Sequence, residues 1–146
     1  MTFSKIQKHI DSKVENMISV EDDKNVIFVL PRYWKEVSRL LKDDVDLEFN
    51  YLMCISSYDK GDKKIYGAAY NLFSTTKTHY LEVRVETEDG ISIPSVADLW
   101  QTANWHEREA YDMMGIQFEG HPHLKRILLS DDWEVYPLRK NYEEPD

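Results

Sequence analysis

Hydrophobic residues in the first part of the chain recur every three or four positions, a period that predicts amphipathic helices. The first predicted helix covers residues 3–15 and has a polar back. A second is predicted to begin at Pro31, because proline favours the first helical position, and to end near Asp43. The apolar residues of these two faces are Phe3, Ile6, Ile10, Val14, Trp34, Val37, Leu40 and Leu41.

Strand patterns occupy the middle of the chain. Apolar runs bounded by turn residues predict strands over residues 18–21, 25–30, 49–57, 65–73 and 81–86. The first two are predicted to form a hairpin. Residues 49–57 are apolar on both sides and predict a central strand, whereas residues 81–86 alternate apolar with charged and predict one solvated face. The small side chains of Gly67, Ala68 and Ala69 favour a close helix-on-sheet contact over a ligand site.

The order of these elements predicts the fold class. Because the connections between consecutive strands are too short for parallel crossovers, the sheet is predicted to be largely antiparallel. Helices precede and follow the strands and are predicted to cover the sheet, which is typical of an α+β fold. We therefore predict a single α+β domain over residues 1–118 and an extended C-terminal arm over residues 119–146.

A third helix is predicted between these strands and the arm. Ser95 offers an N-cap oxygen and Asp98 a carboxylate three residues later, so the helix is predicted to begin near Val96. Gly115 tolerates the left-handed conformation that closes a helix, which predicts an end at about Met114. Its apolar face consists of Leu99, Trp100, Ala103, Ala110, Tyr111 and Met114, interrupted at His106 and Glu107.

The other side of this helix carries an aromatic ring, a guanidinium and carboxylates. Trp105, Arg108 and Asp112 share it at helical spacing, with Glu109 adjacent. It is interpreted either as a solvated face on which Arg108 pairs with Asp112, or as a docking surface. Tryptophan and arginine are enriched at the centres of protein interfaces, which favours docking.

The segment from Glu119 to Asp146 is predicted to be an irregular arm. Prolines interrupt it, its apolar residues show no sustained period, and its basic side chains need acceptors that such an arm does not supply to itself. We expect it to lie along a partner and become ordered there, with Arg139 as the main anchor; the alternative is a tail wrapped on its own domain.

Composition restricts the functions open to the chain. Its 27 acidic residues against 18 basic ones give a net charge of -9, which argues against a nucleic-acid or anionic-membrane partner. The single cysteine, Cys54, excludes an internal disulfide and a multi-cysteine iron-sulfur site. No run is long and apolar enough for a membrane span and the start does not resemble a signal peptide, so direct membrane insertion is not expected.

A metal site is weighed and not favoured. Only His106 and Glu109 have the spacing with which a helix offers two ligands to one ion, and Pro122 fits a fixed turn at least as well as a chelate. A stand-alone metal-dependent enzyme using His106, Glu109 and His121 remains the alternative of another class. The residues considered as ligands are His106, Glu109, Asp112, His121 and His123.

The run between Trp105 and Tyr142 carries a specific resemblance. It reads Trp-x-Glu-Arg-Glu-x-Tyr-Asp-x-x-Gly-Ile-x-Phe-x-Gly-His-Pro-x-Leu-x-Arg-Ile-Leu and ends in Pro-Leu-Arg-Lys-x-Tyr. This pattern resembles the signature of the C subunit of the proton-translocating NADH:quinone oxidoreductases, also called the thirty-kilodalton subunit of respiratory complex I. Asn141 departs from it, because an acidic residue is often found at that place.

The resemblance implies a cofactor-free, non-catalytic structural subunit of the peripheral arm. Such a chain docks on the large quinone-site subunit, beside iron-sulfur subunits, and links the electron-input module to the membrane part. Iron-sulfur clusters, flavin and quinone are expected on the partners, and the complex on the cytoplasmic face of the plasma membrane. An equivalent subunit of an energy-converting membrane hydrogenase or a related complex is the alternative. The interface residues predicted are Trp105, Arg108, Glu109, Asp112, His121, Pro122, Arg126, Trp133, Pro137, Leu138, Arg139, Lys140 and Tyr142.

Overall fold

A five-stranded sheet forms the centre of the molecule, and the helices pack on the face of the sheet that carries the core. The computed structural model describes residues 1–21, 24–61, 64–129 and 135–140. The helices are α1 (Phe3–Lys13), α2 (Pro31–Asp43) and α3 (Ala103–Met114). The strands are β1 (Ile18–Val20), β2 (Val26–Val29), β3 (Tyr51–Asp59), β4 (Ile65–Ser74), β5 (His79–Glu88), β6 (Ile93–Pro94) and β7 (Phe118–Glu119). Over these described ranges, no helix has the length and apolar character needed to cross a membrane.

The sheet is largely antiparallel, which confirms the predicted α+β class. Its strand order is β1-β2-β5-β4-β3, and β6 and β7 form a separate two-stranded pair. Within the large sheet, β2 and β5 pair in parallel, with Ile27 opposite Val83. The argument from short loops does not apply to this pair, because α2, β3 and β4 all lie between its two strands in the chain.

The core confirms the predictions for α1, α2 and β5. Thr2 caps α1 by accepting a hydrogen bond from the Lys5 amide, and Pro31 opens α2 as predicted. Along β5 the inward residues alternate with charged ones on the outer face, as the pattern predicted. The residues buried between helices and sheet include Ile6, Ile10, Trp34, Val37, Leu41, Leu52, Tyr70, Leu72, Leu81, Val83 and Val85.

The prediction of a central strand over residues 49–57 is wrong, because β3 lies at the edge of the sheet. Leu52 and Ile55 are buried, whereas Tyr51 and Met53 are 49% and 46% exposed. A register shift between Leu52 and Cys54 lets Leu52 and Ile55, three residues apart, both point into the core. Apolar residues on both sides of this segment therefore reflect a bulged edge strand with an apolar outer side.

The space left by Gly67 is filled from the neighbouring strand rather than by a helix. Gly67 pairs with Tyr58 across β3 and β4, and a Cβ at Gly67 would overlap the Tyr58 ring. The predicted helix-on-sheet contact at this position is thus wrong. Arg84 places its guanidinium carbon 5.6 Å from the centre of the same ring, close enough for a cation-π contact.

The third helix begins at Ala103, later than predicted, and ends at Met114 as predicted. The Ser95 hydroxyl and the Val96 amide both donate to Glu107 Oε1, at 2.9 Å each, and Ser95 Oγ accepts from the Ala97 amide at 3.2 Å, so Ser95 caps only the short turn that precedes α3. The chain makes one isolated turn after Val96 before α3 starts. Gly115 closes α3 in the left-handed conformation, at φ 77°.

Candidate partner-docking site

Asp112 is the point at which α3 holds the following segment. Its side chain is fully buried, and Oδ2 accepts hydrogen bonds from three successive amides, those of Ile127 (3.1 Å), Leu128 (2.6 Å) and Leu129 (2.9 Å). Oδ1 accepts from Arg126 Nη1 at 2.8 Å, and the same nitrogen donates to the Asp112 carbonyl. One carboxylate therefore fixes four residues of the arm against the helix.

The charge of Asp112 is stabilised despite its burial. Burial alone raises the pKa of this carboxyl, but the hydrogen bonds from Leu129, Leu128, Arg126 and Ile127 outweigh it and hold the pKa below its ordinary value of 3.8. Asp112 is therefore ionised at neutral pH and forms a buried ion pair with Arg126, whose side chain is almost completely enclosed. The predicted place of Asp112 on an exposed face beside Trp105 is wrong, because the arm covers it.

Arg139 makes a second attachment of the arm. Its Nε donates to the Met114 carbonyl at 2.7 Å and its Nη2 donates to Asp89 Oδ1 at 3.0 Å. The guanidinium carbon lies 4.4 Å from the centre of the Tyr66 ring and 4.6 Å from that of Tyr136, so the cation is enclosed between two aromatic faces. The Met114 carbonyl is one of the unpaired groups at the C-terminus of α3, which a cation stabilises.

Two glycines leave room for these arm residues. A Cβ at Gly115 would lie 2.6 Å from Arg139 Nη2, and a Cβ at Gly61 would lie 2.9 Å from Lys140 Nζ. Beside Gly61, Asp59 accepts from the amides of Gly61 and Lys140, at 2.8 Å each. Burial raises the pKa of Asp59, but these two amides and the nearby Lys140 charge lower it overall. At Gly115 the positive φ and the close approach of Arg139 and the Tyr136 ring both favour glycine, whereas at Gly61 the positive φ favours it, because the Lys140 side chain is flexible and can move.

The arm finds acceptors on its own domain, as expected for the alternative of a tail wrapped on that domain. Arg126, Arg139 and the Lys140 amide bind carbonyls and carboxylates of α3, β3 and the segment after β5. Composition could not show this, because Arg139 lies 50 positions from Asp89 and Lys140 lies 81 positions from Asp59. Docking of the arm on a partner remains a prediction, and Trp133 and Tyr142 lie outside the described residues.

Arg108 also joins α3 to the arm, rather than pairing with Asp112 as one interpretation had it. Its Nε and Nη2 donate to the carbonyls of Lys125 and Arg126, at 3.3 Å each. Its guanidinium carbon lies 5.2 Å from the centre of the Trp105 ring. Trp105 itself is 62% exposed, so the ring covers the arginine on one side and faces outward on the other.

Exposed apolar side chains surround these attachments. Leu128 and Leu138 are 64% and 55% exposed. A groove of about 220 Å³ runs between β3, α3 and the arm. We call the exposed residues Trp105, Glu109, Leu128 and Leu138 the α3–arm surface. The residues lining the groove are Ile55, Ser56, Ser57, Glu109, Ala110, Met113 and Leu138.

The remaining predicted interface residues divide by exposure. Pro122 and Lys140 are exposed, whereas Pro137, His121, Arg126 and Arg139 are at least partly buried. Part of the signature therefore attaches the arm to the domain, and part of it faces outward.

Two of the five residues considered as ligands, Asp112 and His121, are engaged in other contacts. His121 Nε2 lies 3.0 Å from the Asn104 carbonyl, and His121 Nδ1 accepts from the His123 amide at 3.0 Å, so both ring nitrogens are occupied. In the part of the chain that the structure describes, the group close enough to share an ion is instead His9, Asp44 and Asp46. There His9 Nε2 already bonds to Asp44 Oδ1 at 2.9 Å.

Comparison with known proteins identifies the family of the chain. Residues 27–146 match the family described as the respiratory-chain NADH dehydrogenase, 30 Kd subunit. The chain is 48% identical over 112 residues to the NADH-quinone oxidoreductase C subunit of Chloroherpeton thalassium, covering 75% of this chain and 46% of that protein. It is also 48% identical over 112 residues to the C subunit of the same enzyme from Chlorobium phaeobacteroides, covering 75% of this chain and 68% of the relative. The chain thus spans about half of the first relative's length.

Solved structures show the same fold. A trypsin-resistant fragment of Nqo5 superimposes with a TM-score of 0.68 at 28% identity, covering 85% of this chain and 100% of the fragment. A chain of the membrane-bound sulfane sulfur reductase, an archaeal respiratory membrane complex, gives a TM-score of 0.79 at 22% identity, with 96% and 85% coverage. The second likeness shows the fold alone. From the family match and the identities, the chain belongs to the family of the respiratory-chain NADH dehydrogenase 30 Kd subunit.

Proposed function

We propose that this chain is a cofactor-free structural subunit of NADH:quinone oxidoreductase and that it docks on the large quinone-site subunit through the α3–arm surface. The observation that carries the proposal is the exposure of Trp105 next to Arg108. A large aromatic ring beside a guanidinium is a typical anchor of a protein interface. Leu128 and Leu138 are exposed apolar side chains of the arm, held beside Asp112 and Met113 further along α3.

The contacts beneath this surface support docking by a rigid element. Asp112, Arg126 and Arg139 fix the arm to α3, so Trp105 and Leu138 are presented in one arrangement before a partner arrives. Pre-organisation of this kind reduces the entropy lost on association. The subunit then joins the electron-input module to the membrane part by contact alone and lies on the cytoplasmic face of the plasma membrane, held by its partners.

The cofactors of the reaction are assigned to the partner subunits. A chain with the single cysteine Cys54 does not provide the set of thiolates that an iron-sulfur cluster needs. In β3 the Cys54 sulfur accepts a hydrogen bond from Asn71 Nδ2 at 3.1 Å, as an ordinary packed side chain. We therefore assign iron-sulfur clusters to neighbouring subunits, and the proposal assigns flavin and quinone to them as well.

The test compares two exposed apolar side chains. Trp105→Ala is expected to lower the amount of large subunit that co-purifies with the tagged chain from its native cell. Val45→Ala, a change at a residue that is 71% exposed in the loop after α2, serves as the control and should leave recovery unchanged. Because Trp105 is exposed, the melting temperature of the isolated chain should change little in both variants.

Two results would contradict the docking proposal. One is unchanged recovery of the large subunit with Trp105→Ala; the other is a large fall in the melting temperature, which would assign Trp105 to the core. The co-purified proteins also separate the alternatives. Iron-sulfur and quinone-site subunits of an NADH-oxidising complex support the proposal, whereas hydrogenase subunits would support the alternative complex. The 48% identity to two NADH-quinone oxidoreductase subunits favours the first outcome.

A further inference from the structure

Glu109 is a charged side chain in an otherwise uncharged groove. Of the residues that line the groove between β3, α3 and the arm in the described structure, Glu109 alone carries a charge. The rest are apolar side chains, among them Met113 and Leu138, and the hydroxyl groups of Ser56 and Ser57. The groove holds about 220 Å³, less than the roughly 300 to 1,000 Å³ of small-molecule sites, so its size suits a side chain rather than a cofactor.

The described residues of this chain supply no counter-charge to Glu109. No lysine, arginine or histidine among them lies within ion-pair distance of its carboxylate. The arginines of the arm bind Asp112 and Asp89 instead. Residues 130–134 and 141–146 contain no lysine or arginine, so these parts of the arm add no cation. The carboxylate is therefore available to a cation of a partner.

Glu109 lies between the two ends of the α3–arm surface. Trp105, Glu109 and Met113 follow one another at four-residue spacing, which places them on one ridge of α3. At the far end the Leu138 amide donates to the Met113 carbonyl at 2.9 Å, so the exposed Leu138 lies beside Met113. A partner that covers both Trp105 and Leu138 therefore also covers Glu109.

Covering this carboxylate determines what the partner brings to the groove. A buried carboxylate without a counter-charge is strongly unfavourable, whereas a paired and hydrogen-bonded one is tolerated. Arginine suits the groove better than lysine, because its guanidinium is weakly hydrated and donates two parallel hydrogen bonds to a carboxylate. Its apolar stem would pack on Met113 and Leu138, and its other N–H groups would find acceptors in the serine hydroxyls.

We propose that the groove is the binding site for one arginine side chain of the large quinone-site subunit, whose guanidinium pairs with Glu109. This inference rests on the proposed docking through the α3–arm surface and adds the chemistry of the contact. The arginine and Trp105 then anchor the same interface about one helical turn apart. Removal of either charge leaves the other buried and unpaired, so Glu109 contributes to the choice of partner as well as to affinity.

Competition with the native chain measures how well a variant enters the complex. The native cell makes both chains, and the complex is purified through a tag on the large subunit. Mass spectrometry then gives the ratio of variant to native chain in the complex, relative to the ratio in the cell extract. Glu109→Gln keeps the size of the side chain and removes its charge, and it should lower this relative ratio by about tenfold or more. Glu36→Gln, the same change at an exposed position on α2, is the matched control and should leave it unchanged.

Charge exchange identifies the side chain that pairs with Glu109. Glu109→Arg should be excluded from the complex, because two guanidinium groups would meet in the groove. Each arginine of the large subunit, and for comparison each lysine, is then changed to glutamate in cells that carry Glu109→Arg. One of the arginine changes should restore assembly. Because Glu109 is exposed, Glu109→Gln should melt at the same temperature as the native chain when both are isolated.

The outcomes separate this inference from the docking proposal. Equal entry of the native chain and Glu109→Gln into the complex would overturn the arginine site, and docking would still stand if Trp105→Ala loses the large subunit. Normal entry of Trp105→Ala as well would overturn both. Restoration of Glu109→Arg by a lysine change, or by no single change, would also overturn the site, as would a large fall in the melting temperature of Glu109→Gln.

Discussion

Asp112→Asn tests whether the buried carboxylate is what holds the arm to α3. The substitution keeps the shape of the side chain but removes its charge and replaces one acceptor oxygen with a donating amide. That amide would face either Arg126 Nη1 or the amides that donate to Oδ2, so donors would oppose donors at contacts of 2.6 to 3.1 Å. Arg126, almost completely enclosed, would lose its counter-charge.

The magnitude follows from the burial of the pair. Breaking a buried ion pair by removing one partner costs about 3 to 5 kcal/mol, because the remaining charge is left uncompensated. The same chemical change at Asp98 is the control. Asp98 binds Lys35 Nζ at 2.6 Å, a short contact, but its side chain is 56% exposed. Exposed pairs contribute at most about 1 kcal/mol, so Asp98→Asn should have a small effect.

The assay is denaturant unfolding of both variants, together with amide exchange at residues 127–129. Asp112→Asn should lower the free energy of unfolding by several times more than Asp98→Asn, and the three amides should exchange faster. Acid should act in the same direction on the native chain. Because the folded pKa of Asp112 lies below 3.8, the contribution of its charge is complete above that value and is lost as the pH falls through the folded pKa. Equal effects of the two Asn substitutions would refute the reasoning.

Three further outcomes are expected. Gly115→Val should lower the free energy of unfolding by roughly 1 to 3 kcal/mol for backbone strain alone, and its Cβ would also displace Arg139; an unchanged unfolding midpoint would contradict both effects. Arg139→Ala should speed amide exchange at Leu138 and Lys140 in the isolated chain, and full protection there would show that its contacts do not hold the arm. Elemental analysis of the purified chain should find no stoichiometric metal. A bound transition metal would instead support the alternative of a stand-alone metal-dependent enzyme.

Local sequence patterns were sufficient to predict the elements in which buried residues recur with a single period. The stripes of α1 and α2, the alternation of β5 and the glycine that ends α3 each depend on neighbours within a few positions. The class of the fold followed from the order of such elements. The signature between Trp105 and Tyr142 identified the family for a different reason, because it combines many fixed residues at close spacing.

The errors arose where a distant residue decided the structure. The helix predicted from Ser95 is interrupted: Ser95 Oγ accepts from the Ala97 amide, but α3 begins only at Ala103, and Glu107 of α3 binds the Ser95 hydroxyl and the Val96 amide. Arg139 and Lys140 found acceptors at Asp89 and Asp59, which no spacing rule connects. Residues 49–57 became an edge strand, since apolarity on both sides does not distinguish a central strand from an exposed apolar edge. Contacts between residues so far apart in the sequence become visible only in the folded structure.

The parallel pairing of β2 with β5 determines the order in which a ribosome-bound chain can fold. β2 is synthesised early, but its only neighbour besides β1 in the described sheet is β5, which follows much later. Until His79–Glu88 has emerged, the hairpin and the apolar face of α2 have no completed sheet to cover. Nascent chains of intermediate length should therefore expose Trp34 and its neighbours and bind general chaperones during translation. Pauses in translation placed before β5 would prolong that exposure, whereas pauses after it would not.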